Sequence, residues 1–187
     1  MNYKLPLLYK KLLILAVVFG PIVWLMFTED GQRRTDTAVL WLFGEAEIKM
    51  ELSALDTQFT EDELREVYPD LKWQCQERAT PYGDYLCVSR IGVFNGIPSK
   101  YITFFFDAGQ LSALKLHYRN SNHTQLLSLL HQQLGQADNE TRTSVTAPDP
   151  DEVLQWRTAY GLVVMKRQLK EDEEPSLFWI ASNHLGR

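Results

Sequence analysis

The sequence has few of the side chains that build metal sites and catalytic nucleophiles. Only two cysteines and four histidines occur among its 187 residues, and no histidine is near either cysteine in the chain. His123 and His131 are separated by eight positions, whereas two metal ligands on one helical face lie three or four positions apart. We therefore predict no metal site and interpret His117 as a solvated strand residue and His123 and His131 as surface residues.

Motifs that mark catalysis or cofactor binding are missing as well. The chain contains no glycine-rich phosphate loop, no Gly-x-Ser-x-Gly turn, no His-Glu-x-x-His pair and no calcium loop. A catalytic carboxylate pair would be assembled by the fold rather than by sequence spacing, so an enzyme remains the alternative. The sequence predicts no cofactor and no small-molecule substrate.

Positive charge is also scarce. The chain has 19 basic residues against 24 acidic residues, a net charge of −5. Without Lys4, Lys10 and Lys11, which precede the apolar run described next, 16 basic residues face 24 acidic ones, a net charge of about −8. This balance argues against nucleic acid or an anionic lipid surface as the partner of the remaining chain.

One long hydrophobic run is present, Leu12 to Phe27, and it contains no charge. As a helix it would be roughly 24 Å long, and extension back to Leu7 brings it to the ~30 Å thickness of a bilayer core. Gly20 and Pro21 in the middle predict a kink. Residues 1–27 are thus predicted to be a cytoplasmic stub and a transmembrane signal anchor.

Lysines before the run predict the orientation of this anchor. Lys10 and Lys11 should stay in the cytoplasm, which places the rest of the chain in the periplasm of a cell with an inner membrane. A cleaved secretory signal peptide is the competing interpretation, but no small-residue cleavage site follows Phe27. We expect a single-pass inner-membrane protein with a cytoplasmic N-terminus.

The remaining chain is predicted to be a polar linker, 28–37, followed by one α+β domain, 38–187. Thr60 and Glu63 form a capping box that begins a helix, and Pro69 ends it. A second helix should begin after Ser121 or Asn122 and stop at Gly135.

Strands are predicted where apolar and aromatic residues run between turn residues. Ala38–Phe43 is either a buried first strand or an apolar strip at the membrane, and Glu45–Leu52 alternates strictly between charged and apolar residues. The expected architecture is two-layered, with an antiparallel sheet and helices on one face, and it is compatible with a helix-plus-three-strands unit used twice. The other predicted strands are Tyr85–Ile91, Tyr101–Phe106, Leu111–Tyr118, Val153–Thr158, Leu162–Leu169 and Leu177–Ala181.

Cys75 and Cys87 flank a turn sequence and are predicted to form a disulfide in an exported domain. A metal site would need further ligands at close spacing, and a redox pair would more naturally have the spacing Cys-x-x-Cys. The predicted role of the bridge is structural.

These expectations favour a non-enzymatic protein that binds or helps assemble an envelope protein complex. The alternatives are a periplasmic hydrolase or redox enzyme with an unrecognised site, and a membrane-anchored inhibitor or immunity-type protein. Partner contacts are expected from small or kinked positions in the membrane and from whichever tryptophans are exposed. The candidates are Gly20, Pro21, Trp41, Trp73, Trp156 and Trp179.

Overall fold

The computed structural model describes residues 46–138, 152–170 and 173–185, together with residues 9–11, 13 and 15–20 of an N-terminal helix. The chain divides into two compact units, Met1–Phe43 and Gly44–Arg187. Among the described residues, no helix has both the length and the apolar character needed to cross a membrane. Most of the predicted anchor, all of the linker 28–37 and the candidate strand Ala38–Phe43 lie outside the described residues.

The second unit is an α+β domain with a mixed, mostly antiparallel sheet and few helices, as predicted at that level of detail. Its helices are α1 (Glu61–Val67) and α2 (His123–Leu134), with short 3-10 helices at Asn120–Asn122 and Ser182–His184. Its strands are β1 (Glu47–Ile48), β2 (Gln74–Thr80), β3 (Gly83–Arg90), β4 (Val93–Phe94), β5 (Ile97–Asp107), β6 (Gln110–Tyr118), β7 (Val153–Arg157), β8 (Gly161–Lys166) and β9 (Ser176–Ala181).

Seven strands form a continuous antiparallel sheet in the order β2, β3, β5, β6, β9, β8, β7. The short strand β4 pairs with the beginning of β5, and β1 pairs with β4 in parallel, which makes the sheet mixed. Strand β2 was not predicted from the sequence, because its residues are polar and nearly all exposed at the edge of the sheet.

Local chemistry explains the start of α1 and the end of α2. At the start of α1, the Thr60 amide donates to Glu63 Oε2 at 2.8 Å, and the Glu63 amide donates to Thr60 Oγ1 at 3.4 Å. This is the predicted capping box. The helix α2 ends at Gly135, whose φ of 82° is readily adopted only without a side chain. Asn122 precedes α2 but makes no side-chain capping bond.

The main core lies on the side of the sheet that faces the helices. Leu64 of α1 and Leu126 and Leu130 of α2 are completely buried there. They belong to one cluster with large side chains from the central strands, including Phe104 and Trp179. Burial of this size is the main favourable term in folding the domain.

A close approach between β8 and β9 requires a glycine. A Cβ atom at Gly161 would lie 2.5 Å from the carbonyl oxygen of Ile180 and 2.7 Å from a ring carbon of Trp179. The indole of Trp179 is fully buried against this position. Any larger residue at 161 would force the backbone and the indole apart.

Candidate interaction surface

The sheet has a second side, opposite the helices, which we call the open face. Its first cross-strand row is Gln76, Leu86, Phe105, Ala113, Ile180, Leu162 and Arg157. The second row is Gln74, Val88, Thr103, Lys115, Phe178, Val164 and Gln155. The third row is shorter: Arg90, Tyr101, His117 and Ser176. The face therefore spans all seven strands of the continuous sheet.

An aromatic group occupies the middle of the open face. The ring of Tyr82, from the turn between β2 and β3, lies 5.3 Å from the ring of Phe105 and 5.5 Å from that of Phe178. The Lys115 ammonium lies 5.1 Å from the centre of the Phe178 ring, a cation–π distance. Three strands and one turn thus converge on this point.

Ser112 fixes the turn that carries Tyr82. It is the extra residue of a β-bulge in β6, between the positions that pair with Phe105 and Phe106. Its buried hydroxyl is hydrogen-bonded to the carbonyl oxygens of Tyr82 and, at 2.9 Å, of Phe105. The bulge therefore ties the turn to the sheet and positions the aromatic group.

The apolar part of the open face is accessible at one end. Leu86 and Phe105 are nearly buried, at 7% and 8% exposure, whereas Leu162, Val164 and Phe178 are half-buried. In the described part of the chain, Tyr82 is the residue outside the paired strands that packs on the Leu86 and Phe105 cluster. The partly exposed side chains of Leu162, Val164 and Phe178 are therefore the apolar part of this face that another molecule can contact.

Charge within the three rows of the open face has one sign. Within the three described rows the ionised side chains are Arg90, Lys115 and Arg157, and no row position is aspartate or glutamate. Burial, followed by the charge of Lys115, lowers the pKa of His117 below its usual value, and the carboxylate of Glu174 opposes this shift. The three rows are therefore basic although the chain as a whole is acidic, and acidic residues on the same side of the sheet, Asp84 and Asp107, lie beyond the first row.

The tryptophans proposed from sequence as partner contacts do not gather on this face. Trp156 and Trp179 are fully buried on the helix side, at 1% and 0% exposure, so they offer a partner no surface in the folded domain. Trp73 is half-buried and packs edge-to-face on Phe104 at 5.5 Å. Trp41 lies outside the described residues.

Gly20 and Pro21 are the two partner contacts that were predicted in the membrane segment. Pro21 lies outside the described residues. Gly20 is helical, and a Cβ atom there would have open space within 4 Å. Its role as a partner contact stays a prediction.

Cys75 and Cys87 form the predicted disulfide between directly paired positions of β2 and β3. Cys87 is buried, while the Cys75 sulphur lies 3.2 Å from Arg65 Nη2. A Glu61 carboxylate oxygen is within 4.8 Å of both sulphurs, a grouping that resembles a metal site. Oxidised sulphurs provide no thiolate ligand, so this grouping does not form a thiolate metal site while the bridge is intact.

An acidic cavity lies beside the disulfide, with a volume of about 640 Å³, and is lined by Glu61, Glu77, Asp84 and Tyr85 among others. Burial, then a hydrogen bond from the phenol to Glu61, raises the pKa of Tyr85. The Glu61 carboxylate is also paired with Arg65 at 2.7 Å. A phenol that keeps its proton beside paired or exposed carboxylates provides no activated nucleophile.

His123 is not the simple surface residue that its sequence position indicated. The Tyr118 hydroxyl lies 2.8 Å from its Nδ1, and its Nε2 lies 3.1 Å from the carbonyl oxygen of Arg167. His123 is half-buried because the first turn of α2 packs against the ends of β6 and β8. It joins three elements and has a structural role. His131 is also half-buried, with its ring 5.7 Å from that of Trp156.

Comparison of the chain with protein-family models, with curated proteins and with solved structures gives no match. The function must therefore be inferred from the geometry of the chain itself.

Sequence reasoning assigned Lys115 and His117 to the face opposite the core but did not identify the apolar rows beside them. The available signal was in β8 and β9, which are nearly continuous apolar runs. A strand that is apolar on both sides belongs to a sheet whose two faces are both covered by other parts of the chain, or to a sheet with one apolar face that a partner can cover.

Proposed function

We propose that the chain is a single-pass membrane protein that does no chemistry of its own and binds a protein of the cell envelope through the open face. The anchor 1–27 would hold it in the inner membrane, with the N-terminus cytoplasmic and the domain 38–187 periplasmic. The observation that carries the proposal is the apolar face with its aromatic centre and its basic border. The disulfide is compatible with an oxidising compartment such as the periplasm.

Protein is the partner class that the open face fits best. Protein interfaces combine an apolar, aromatic centre with arginine and other polar groups at the rim. A lipid surface fits less well, because insertion into a bilayer requires projecting apolar side chains, whereas Leu162, Val164 and Phe178 are half-buried. A membrane tether also raises the local concentration of the domain near other envelope proteins, which favours moderate contacts of this kind.

The finer architecture is part of the same proposal. The helix α1 precedes β2, β3, β5 and β6, which pair in that order with the short β4 beside β5, and α2 precedes β7, β8 and β9, which also pair in that order. The unit predicted from sequence corresponds to α1 with β3, β5 and β6 and to α2 with β7, β8 and β9. The two-layer domain with this unit used twice stays part of the proposal, with β2 as an additional edge strand.

Removing apolar surface from the open face should abolish binding without unfolding the domain. The test variant is Leu162→Ser with Val164→Ser, and the matched control is Val67→Ser, since Val67 is 56% exposed on α1. Tagged full-length chains are crosslinked in membranes of the native host, extracted in detergent and quantified with their bound proteins by mass spectrometry. We expect one protein to be retained by the wild type and the control but reduced about tenfold in the test variant. Equal retention by the test variant would refute the proposed surface, as would catalytic turnover of an envelope substrate.

A further inference from the structure

A basic cavity lies at the end of the open face, beyond the third row. Its volume is about 480 Å³, and Arg90, Lys100 and Tyr101 line it together with Arg119 and Glu174. Arg90 and Tyr101 are themselves members of the third row. The cavity and the open face are therefore parts of one surface.

Positive charge exceeds negative charge in this cavity. Its lining contains two guanidinium groups and one ammonium group but a single carboxylate, that of Glu174. The Lys100 ammonium lies 3.9 Å from that carboxylate, and the two side chains are 44% and 76% exposed, so solvent screens their attraction. Arg90 and Arg119 also interact within the chain, and an anion would join those contacts rather than meet bare cations.

We propose that this cavity binds a carboxylate of the partner protein, from an aspartate, a glutamate or a chain end, while apolar side chains next to that carboxylate lie on the first two rows. The inference rests on the proposed function and adds the chemistry of the partner. Guanidinium groups bind planar carboxylates through two parallel hydrogen bonds, and Lys100 and the Tyr101 hydroxyl add further donors.

The basic cavity is continuous with the apolar rows, and a polypeptide is the source of the anion that can contact both regions. Inorganic phosphate would pair with the cations of the cavity but leave the apolar rows uncovered. Tyr101, 46% exposed, stands between the cavity and the rows, where its ring can pack on apolar groups while its hydroxyl meets charged ones. A peptide segment with an acidic residue beside apolar ones satisfies both regions at once.

A water-soluble carbodiimide tests for this contact directly. The reagent activates a carboxylate, a lysine amine displaces the activating group as a urea, and an amide bond then joins the two residues. In membranes of the native host, we expect Lys100, and with lower yield Lys115, to be joined to an acidic residue or C-terminus of a second protein. Lys49, with a side chain that is 79% exposed, is the control lysine and should give no such product.

The pair of Lys100 with Glu174 will compete by forming a crosslink within the chain, so the experiment is repeated with Glu174→Gln, which should increase the intermolecular product. In addition, Lys100→Gln should weaken the complex about two- to fivefold at 0.1 M salt and less at 0.5 M salt, whereas Lys49→Gln should not.

Three outcomes separate this inference from the function on which it rests. If a photocrosslinker at position 162 captures a protein but Lys100 never forms an amide with it, the open face binds a partner and the carboxylate inference is wrong. If phospholipid co-purifies with the wild type but not with Lys100→Gln, the occupant is a lipid headgroup and the inference is also wrong. If neither position captures a protein, both proposals fail.

Discussion

Removing the Cys75–Cys87 bridge should destabilise the domain, mainly because the unfolded chain gains conformational entropy. The two residues are twelve positions apart, and closing a loop of this length restricts the unfolded state by about 3 kcal/mol. For a domain of this size, that loss corresponds to a melting temperature lower by roughly 9 °C. The variant is Cys75→Ala with Cys87→Ala, and urea unfolding of the full-length chain in detergent, followed by tryptophan fluorescence, measures the change.

The structure also predicts where the loss should appear. Strand β2 pairs only with β3 in the described sheet, and most of its side chains are exposed, so little packing holds it at the edge. Hydrogen exchange should therefore accelerate in β2 more than in the central strand β6. Reducing the wild type with dithiothreitol is the control that leaves both sulphurs in place. A loss below about 1 kcal/mol, or equal acceleration in β2 and β6, would refute the reasoning.

Two other changes test the open face. Replacing Ser112 by Ala should lower the free energy of unfolding by about 1–3 kcal/mol, because the carbonyl oxygens of Tyr82 and Phe105 lose a buried hydrogen-bond donor. Urea unfolding measures this change as a lower midpoint at unchanged slope. The control Ser128→Ala, at an exposed helix position, should change stability by less than about 0.5 kcal/mol, and similar values for the two variants would contradict this account. The pKa of His117 is lower in the folded protein than its usual 6.5, so between these two pKa values the unfolded chain binds more protons than the folded one. The contribution of His117 to the free energy of unfolding is therefore fully present above pH 6.5 and is lost as the pH falls through the folded pKa. NMR titration should give a value below 6.5, His117→Gln should flatten the pH dependence on the acid side, and a value of 6.5 or higher would contradict the assignment.

The elements that could be predicted from sequence are those fixed by local chemistry. The capping box of Thr60 and Glu63, the stop at Gly135 and the turn at Ala108 and Gly109 depend on residues a few positions apart. The hairpins follow from such turns, and the disulfide follows from the cysteine count and an exported location. Local signals identified both helices and the strands β3, β5, β6, β7, β8 and β9, but neither β2 nor β4. The strand predicted over Glu45–Leu52 was too long, because β1 covers only Glu47–Ile48 and the backbone of Met50 bonds to the side chain of Asn95 instead of a neighbouring strand.

The open face could not be predicted because it depends on pairing between distant strands. The residues Phe105 and Phe178 become neighbours of Lys115 only when β6 pairs with both β5 and β9, and no local pattern encodes that register. The number of aromatic residues likewise does not show which tryptophans are buried in the core and which aromatic side chains lie on the open face. His123 was misplaced for the same reason, since its partners are contributed by β6 and by the residue that follows β8.

The glycine at position 161 has a consequence for folding as well as for packing. Strand β9 is apolar on both sides, so shifting it by one residue would exchange Trp179 and Leu177 with Phe178 and Ile180 and would expose no charge. Hydrophobicity alone therefore discriminates poorly between the correct alignment and the shifted one. The indole of Trp179 packs against Gly161, which has no side chain to obstruct it. Steric fit therefore favours the observed alignment of β8 and β9, which hydrophobic burial alone does not distinguish from the shifted one. A misaligned β9 would turn the indole of Trp179 outward and leave the space beside Gly161 unfilled, so the missing side chain at position 161 favours one alignment of the last strand.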